Sequence, residues 1–138
     1  MNELEIAKYL SADKYISKFF RGVFARDELV ENDRGEGLYI INTDISTGPG
    51  KHWVCLFLSD ETEYFDSLGL APVEVKAFLD NRLEPYVFSS QRLQGPNSDV
   101  CGDYCILYAY FRCRGWMLED FIKLFTTNLD QNDRIVEL

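Results

Sequence analysis

Four side chains in this sequence are of the types that thiol-based acyl transfer requires: His52, Asp66, Gln94 and Cys101. That chemistry needs a thiolate at neutral pH, a base to form it and donors aimed at the oxyanion. His52 is the only imidazole in the chain and follows the run G-P-G-K. Cys101 stands in QGPNSDVCG, a turn-forming stretch that leads into the apolar run ILYAYF. Asp66, in YFDSLG, can orient the second ring nitrogen of a histidine base. Gln94 can offer a side-chain N–H to the oxyanion.

These residues act together only if the elements around them converge. Ser98 is a candidate N-cap for a helix over 99–114, closed by Gly115. Cys101 then falls at the third helical position, where free N–H groups and the helix dipole lower a thiol pKa. The helix is apolar on several sides, so it is expected at the centre of the molecule. HWVCLFLS and ETEYFDSLG read as strands joined by a short turn at 59–62. Such a hairpin places residue 66 beside residue 52. GLYIINTD reads as a further strand.

The remaining elements are predominantly helical. Residues 3–10 and 11–20 read as short helices, the second capped by Ser11, and a polar loop runs from 25 to 37. A helix is expected from Pro72, an extended piece over 86–93 and a last helical region over 117–136. The expectation is an α+β fold. A central mixed or antiparallel sheet is flanked by helices, with the thiol at the N-terminus of a buried central helix.

Size and charge narrow the function classes. The chain's 138 residues suit a single domain over 1–138, and 46% hydrophobic with 14% aromatic residues suffice for a core. A net charge of −9 argues against sequence-independent binding of nucleic acid. The early acids of MNELEIAKYL do not form a secretory signal, and the apolar runs are too short to span a bilayer. A monomer inside the cell, in host cytoplasm, nucleus or virion, is the expectation. The four cysteines, Cys55, Cys101, Cys105 and Cys113, are expected as free thiols.

Each candidate also has a structural reading. A cysteine in an apolar helix is ordinarily core, and a turn aspartate can bond its own backbone. Gln94 can be a surface residue. Cys101, Cys105, Cys113 and His52 together could suggest zinc, but the spacing C-x3-C-x7-C lacks a knuckle pair. The order of the four, strand-start His, strand-end Asp, turn Gln and helix-start Cys, favours catalysis.

At these residues the sequence resembles a known group. QGPNSDVCG is similar to the nucleophile motif of the adenain-like cysteine endopeptidases. INTDISTGPGKHW resembles the stretch that leads into their His-Trp pair. YFDSLG is similar both to that group and to the SUMO/ubiquitin-like-protein proteases of the same clan, and the aspartate matches the latter. The firm resemblance spans residues 36–115. FFRGVFARDEL resembles the proteases of the Polinton/Maverick transposons.

The resemblance implies His52 as base, Asp66 as its orienter, Cys101 as nucleophile and Gln94 as oxyanion donor. It implies that Trp53 walls a narrow channel for glycine before the scissile bond. It implies a polypeptide substrate; no metal or cofactor is expected. Adenain itself is stimulated by a disulfide-tethered peptide and by DNA. Here the region between Asp66 and Gln94 has no cysteine, and the chain is acidic. The expected function is a cysteine endopeptidase that matures viral or transposon structural proteins. The alternatives are a SUMO-type protease and an inactive peptide-binding module.

Overall fold

The computed structural model describes residues 1–137. Five strands lie side by side in sequence order: β1 (Phe20–Ala25), β2 (Gly37–Asn42), β3 (Trp53–Leu58), β4 (Thr62–Phe65) and β5 (Tyr86–Phe88). The outer pairs β1–β2 and β4–β5 are parallel, and the inner pairs β2–β3 and β3–β4 are antiparallel. The helices are α1 (Glu3–Ala12), α2 (Lys76–Arg82), α3 (Cys101–Arg112), α4 (Leu118–Ile122) and α5 (Leu129–Val136). The architecture is thus α+β around a mixed sheet.

The apolar runs of β2 and β3 follow from burial on both faces. Leu38, Ile40, Cys55 and Phe57 pack with α1, α3 and the last two helices. Tyr39, Ile41, Val54, Leu56 and Leu58 pack on the other face against Val75, Phe78 and Leu79. Helix α3 lies along β3, with Tyr104, Cys105, Tyr108 and Ala109 essentially inaccessible to solvent. Cys55 and Cys105 are therefore core residues, and all four thiols are free.

The structure departs from the sequence expectation at five places. No helix covers 11–20: α1 ends at Ala12, and Asp13 Oδ1 accepts the N–H groups of Tyr15 and Ile16. That side-chain cap opens a short 3-10 turn, Ile16–Lys18, which turns the chain into β1. β1 was hidden because Arg21 and Gly22 interrupt its apolar pattern, and its register shifts between Phe20 and Gly22. The extended piece over 86–93 is a strand only through Phe88.

The region 117–136 divides in two, because Asn128 caps α5 by accepting the Gln131 N–H. Ser98 is not the cap of α3. Its hydroxyl donates to Gly95 O at 3.3 Å within the preceding turn, and the helix begins at Cys101 after Val100. Cys101 is therefore the first helical residue, not the third.

The topology collects chain ends. β1 and β2 run parallel and finish at the sheet end where the antiparallel β3 begins; β4 finishes there too. Helix α3 also starts at this end, since Gly102 abuts Trp53. A Cβ on Gly102 would lie 3.5 Å from Trp53 Cδ1 and only 3.2 Å from Met1 Cβ, so glycine permits the close approach.

Candidate active site

The β3–β4 hairpin brings the base and the acid together. Its register pairs Cys55 with Phe65 and Leu56 with Tyr64. Carried one pair further, it sets Asp66 opposite Val54, two residues from His52. His52 Nε2 then lies 2.6 Å from Asp66 Oδ1. Asp66 is buried, and its Oδ1 also accepts the Leu68 N–H at 2.8 Å. The turn role foreseen for an aspartate in D-S-L-G and the role of orienting the ring coexist in one carboxylate.

With Nε2 taken by Asp66, Nδ1 is the ring nitrogen left for Cys101, whose half-buried thiol shares the cleft with His52. The backbone N–H groups of Trp53 and Gly102 also point at the sulfur. Burial pushes this thiol pKa up. The His52 ring and the two N–H groups outweigh burial and hold it below 9.0. Burial likewise opposes charge on His52, but Asp66 and Cys101 raise its pKa to about 10. A lowered thiol pKa and a raised ring pKa both act in the direction of a thiolate–imidazolium pair. A first-turn position suffices for activation, since the N–H groups of Cys101 and Gly102 have no partner inside the helix.

The trio opens on a cleft of about 990 Å³. Trp53 and Met1 form part of its wall, and the Trp53 indole donates to Met1 O at 3.0 Å. Gln94 lies on the side of the cleft formed by Arg92, Gly95, Pro96 and Ser98. Its Nε2 donates to Ser98 O at 3.0 Å, and its Oε1 accepts the Ser67 hydroxyl at 2.6 Å. Of the residues singled out from the sequence, His52, Trp53, Gln94 and Cys101 line this cleft, and Asp66 lies buried behind the His52 ring.

Sequence reasoning missed the residues that hold Gln94. Ser67 is one of them: its hydroxyl donates to Gln94 Oε1. Asp133, on α5, accepts the Gly95 N–H at 3.1 Å and the Tyr104 hydroxyl at 2.8 Å. No spacing rule ties position 133 to position 95. A serine beside the candidate acid was the one signal that could have been weighed. Among the described residues, no three His, Cys, Asp or Glu side chains are grouped to hold a metal, and no helix is long and apolar enough to cross a membrane.

The site and fold together define a thiol-centred α+β class, and known proteins share parts of it. No protein-family profile matches the chain. Over 38 residues it is 50% identical to the cysteine protease S273R of African swine fever virus, isolate Tick/Malawi, covering 24% of this chain and 14% of that protein. The same identity and coverage hold for the SUMO-1 cysteine protease S273R of isolate Tick/South Africa. The match thus spans about a seventh of the relatives' length.

Among solved structures, the pS273R protease of that virus aligns at TM-score 0.48 with 26% identity, covering 73% of this chain and 43% of that one. The central domain of the Legionella pneumophila protein Lpg1148 aligns at TM-score 0.51 with 16% identity, covering 99% and 98%. The latter is a likeness of fold.

Proposed function

We propose that the chain is a cysteine endopeptidase, with Cys101 as nucleophile, His52 as acid–base, Asp66 as orienter and Gln94 as oxyanion donor. The observation that carries this reading is the His52–Asp66 contact of 2.6 Å at a cleft that His52 shares with the Cys101 thiol. The partial similarity to viral proteins named cysteine protease supports it.

The thiolate sulfur adds to the scissile carbonyl carbon. The resulting oxyanion takes hydrogen bonds from Gln94 Nε2 and the Cys101 backbone N–H. The imidazolium gives its Nδ1 proton to the leaving amine as the C–N bond breaks. Neutral His52 then deprotonates a water that attacks the thioester. The tetrahedral adduct collapses, and the thiolate–imidazolium pair returns.

The substrate is a polypeptide with glycine before the scissile bond. The Trp53 indole, fixed by its bond to Met1 O, leaves a restricted approach to the sulfur that favours residues without a side chain. Maturation of viral or transposon structural proteins is the role most consistent with the adenain-like motif at Cys101 and with the viral relatives. A second reading, cleavage of SUMO-type tails, draws support from the relative named a SUMO-1 cysteine protease.

An electrophilic probe ending in Gly-Gly tests the proposal. It is expected to label Cys101 alone, and Cys101→Ala is expected to lose labelling and turnover while melting as the wild type does. Undiminished peptidase activity in Cys101→Ala would rule the reading out. Competition by capsid-type peptides or by a SUMO tail separates the two substrate classes.

A further inference from the structure

We propose that Ser67 is a positioning residue that fixes which face of the Gln94 amide meets the substrate; this rests on the peptidase reading above. Ser67 follows the acid Asp66 directly in the sequence, so one dipeptide would orient both the base and the oxyanion donor.

The hydrogen bonds around Gln94 admit one arrangement. A backbone carbonyl can only accept, so the amide atom facing Ser98 O, 3.0 Å away, must be nitrogen. Oε1 then faces Ser67, whose hydroxyl donates to it at 2.6 Å. Both residues are buried, at 2% exposure for Ser67 and 3% for Gln94. One N–H of Nε2 is spent on Ser98. The other has no protein partner among the described residues, and it belongs to a side chain that lines the Cys101 cleft. Without the Ser67 hydroxyl, Oε1 is left buried and unpaired. The amide can then swing its oxygen toward the cleft, where it would repel an oxyanion.

Ser67 also anchors the backbone. Its carbonyl accepts the N–H of Leu93 at 2.9 Å and of Gln94 at 3.0 Å. Gly69, at φ 71°, lets the turn after Asp66 press against this segment; a Cβ there would lie 2.7 Å from Ser90 O. Main-chain contacts survive substitution at Ser67, so the hydroxyl is separable from the turn.

Ser67→Ala, Gln94→Ala and the double variant test the proposal by two readouts. In NMR spectra, the Gln94 side-chain N–H held by Ser98 O is expected to exchange slowly with solvent in the wild type. Ser67→Ala should speed that exchange, and Ser67→Thr, which keeps the hydroxyl, should leave it slow. An unchanged amide in Ser67→Ala overturns the proposal whether or not the chain is a peptidase.

In turnover assays, Ser67→Ala is expected to lower kcat by roughly 10-fold to 100-fold at nearly constant KM, less than the roughly 100-fold to 1,000-fold of losing a whole oxyanion donor, because the amide is misplaced rather than removed. In the Gln94→Ala background it should cost less than about 2-fold, since the group it positions is gone. Equal losses in both backgrounds overturn the positioning role. Alkylation of Cys101 should keep its wild-type rate in Ser67→Ala; a slowed rate places Ser67's effect on the thiolate and also overturns the proposal. A wild type without turnover rejects the peptidase reading, and the amide exchange still decides the Ser67–Gln94 lock.

Discussion

Asp66 Oδ1 accepts the Leu68 N–H at 2.8 Å and stands 2.6 Å from His52 Nε2. The acid is therefore fixed by its own turn before it orients the ring. Asn in its place keeps an acceptor for both N–H groups but loses the charge that favours imidazolium. Asp66→Ala loses both. We expect Asp66→Ala to lower kcat by about 10,000-fold, the scale of triad carboxylate deletions, and Asp66→Asn by less, since it keeps the acceptor. The His52 pKa should fall in each, read by NMR of the ring protons. An Asn variant as slow as the Ala variant would show that the charge, not the orientation, carries the effect.

The pH profile follows from two opposed shifts. Burial raises the Cys101 thiol pKa, but hydrogen bonds from His52 and the backbone win and hold it below 9.0. Burial lowers the His52 pKa, but Asp66 and Cys101 win and lift it to about 10. The reactive pair then exists above the thiol's lowered pKa and below that of the ring. Alkylation of Cys101 by a small neutral electrophile should therefore have its midpoint below 9.0 and stay fast up to the ring's titration. Turnover should also fall near pH 10, where His52 no longer protonates the leaving amine. In His52→Ala the alkylation midpoint should rise, since burial of the thiol is no longer offset by the ring. A wild-type midpoint at or above 9 would contradict the ion pair.

The placement of the site was largely legible because it depends on local rules. The hairpin turn at 59–62 sets the His52–Asp66 meeting, and a turn followed by an apolar run announces α3. The element that escaped was β1, where Arg21, Gly22 and a register shift remove the period-two signal. The Ser98 cap was misread because a capping residue can serve any nearby turn. Its hydroxyl bonds Gly95 O, three residues back, and its carbonyl is held by Gln94. The buttress of the Gln94 loop was illegible for another reason: Asp133 reaches Gly95 across 38 residues of chain, and no periodicity encodes such a contact.

A buried acid at the other end of α3 bears on stability instead. Glu63, on β4, is 1% exposed. It accepts the Tyr108 hydroxyl and the Leu118 N–H, each at 2.7 Å. Arg112 Nε stands 3.2 Å from its Oε1, an ion pair whose N–H is out of line for a hydrogen bond. The Arg112 side chain is only 13% exposed. Removing the carboxylate strands this cation and two further donors. Glu63→Ala is expected to cost about 3–5 kcal/mol in urea unfolding, the usual penalty for breaking one side of a buried pair. The protein that remains folded should still alkylate at Cys101 like the wild type. A cost below about 1 kcal/mol would mean water satisfies Arg112 in solution.

Asp133 joins stability to the cleft without entering it. Its carboxylate receives the Gly95 N–H and the Tyr104 hydroxyl, so α5 and α3 together clamp the residue after Gln94. In Asp133→Ala, Tyr104 retains Leu93 O at 3.1 Å, while the Gly95 N–H is left buried and unpaired. That group alone costs about 1–3 kcal/mol. The Gln94 loop should also gain freedom, so kcat is expected to fall about 10-fold with KM little changed, given that an oxyanion donor must be held in place to act. Because Asp133 touches neither the thiol nor the ring, alkylation of Cys101 should keep its wild-type rate and pH midpoint. A variant that loses stability at full kcat would show that Ser67 alone suffices to hold the amide. A variant that also loses alkylation would place the coupling through α3 and the thiolate.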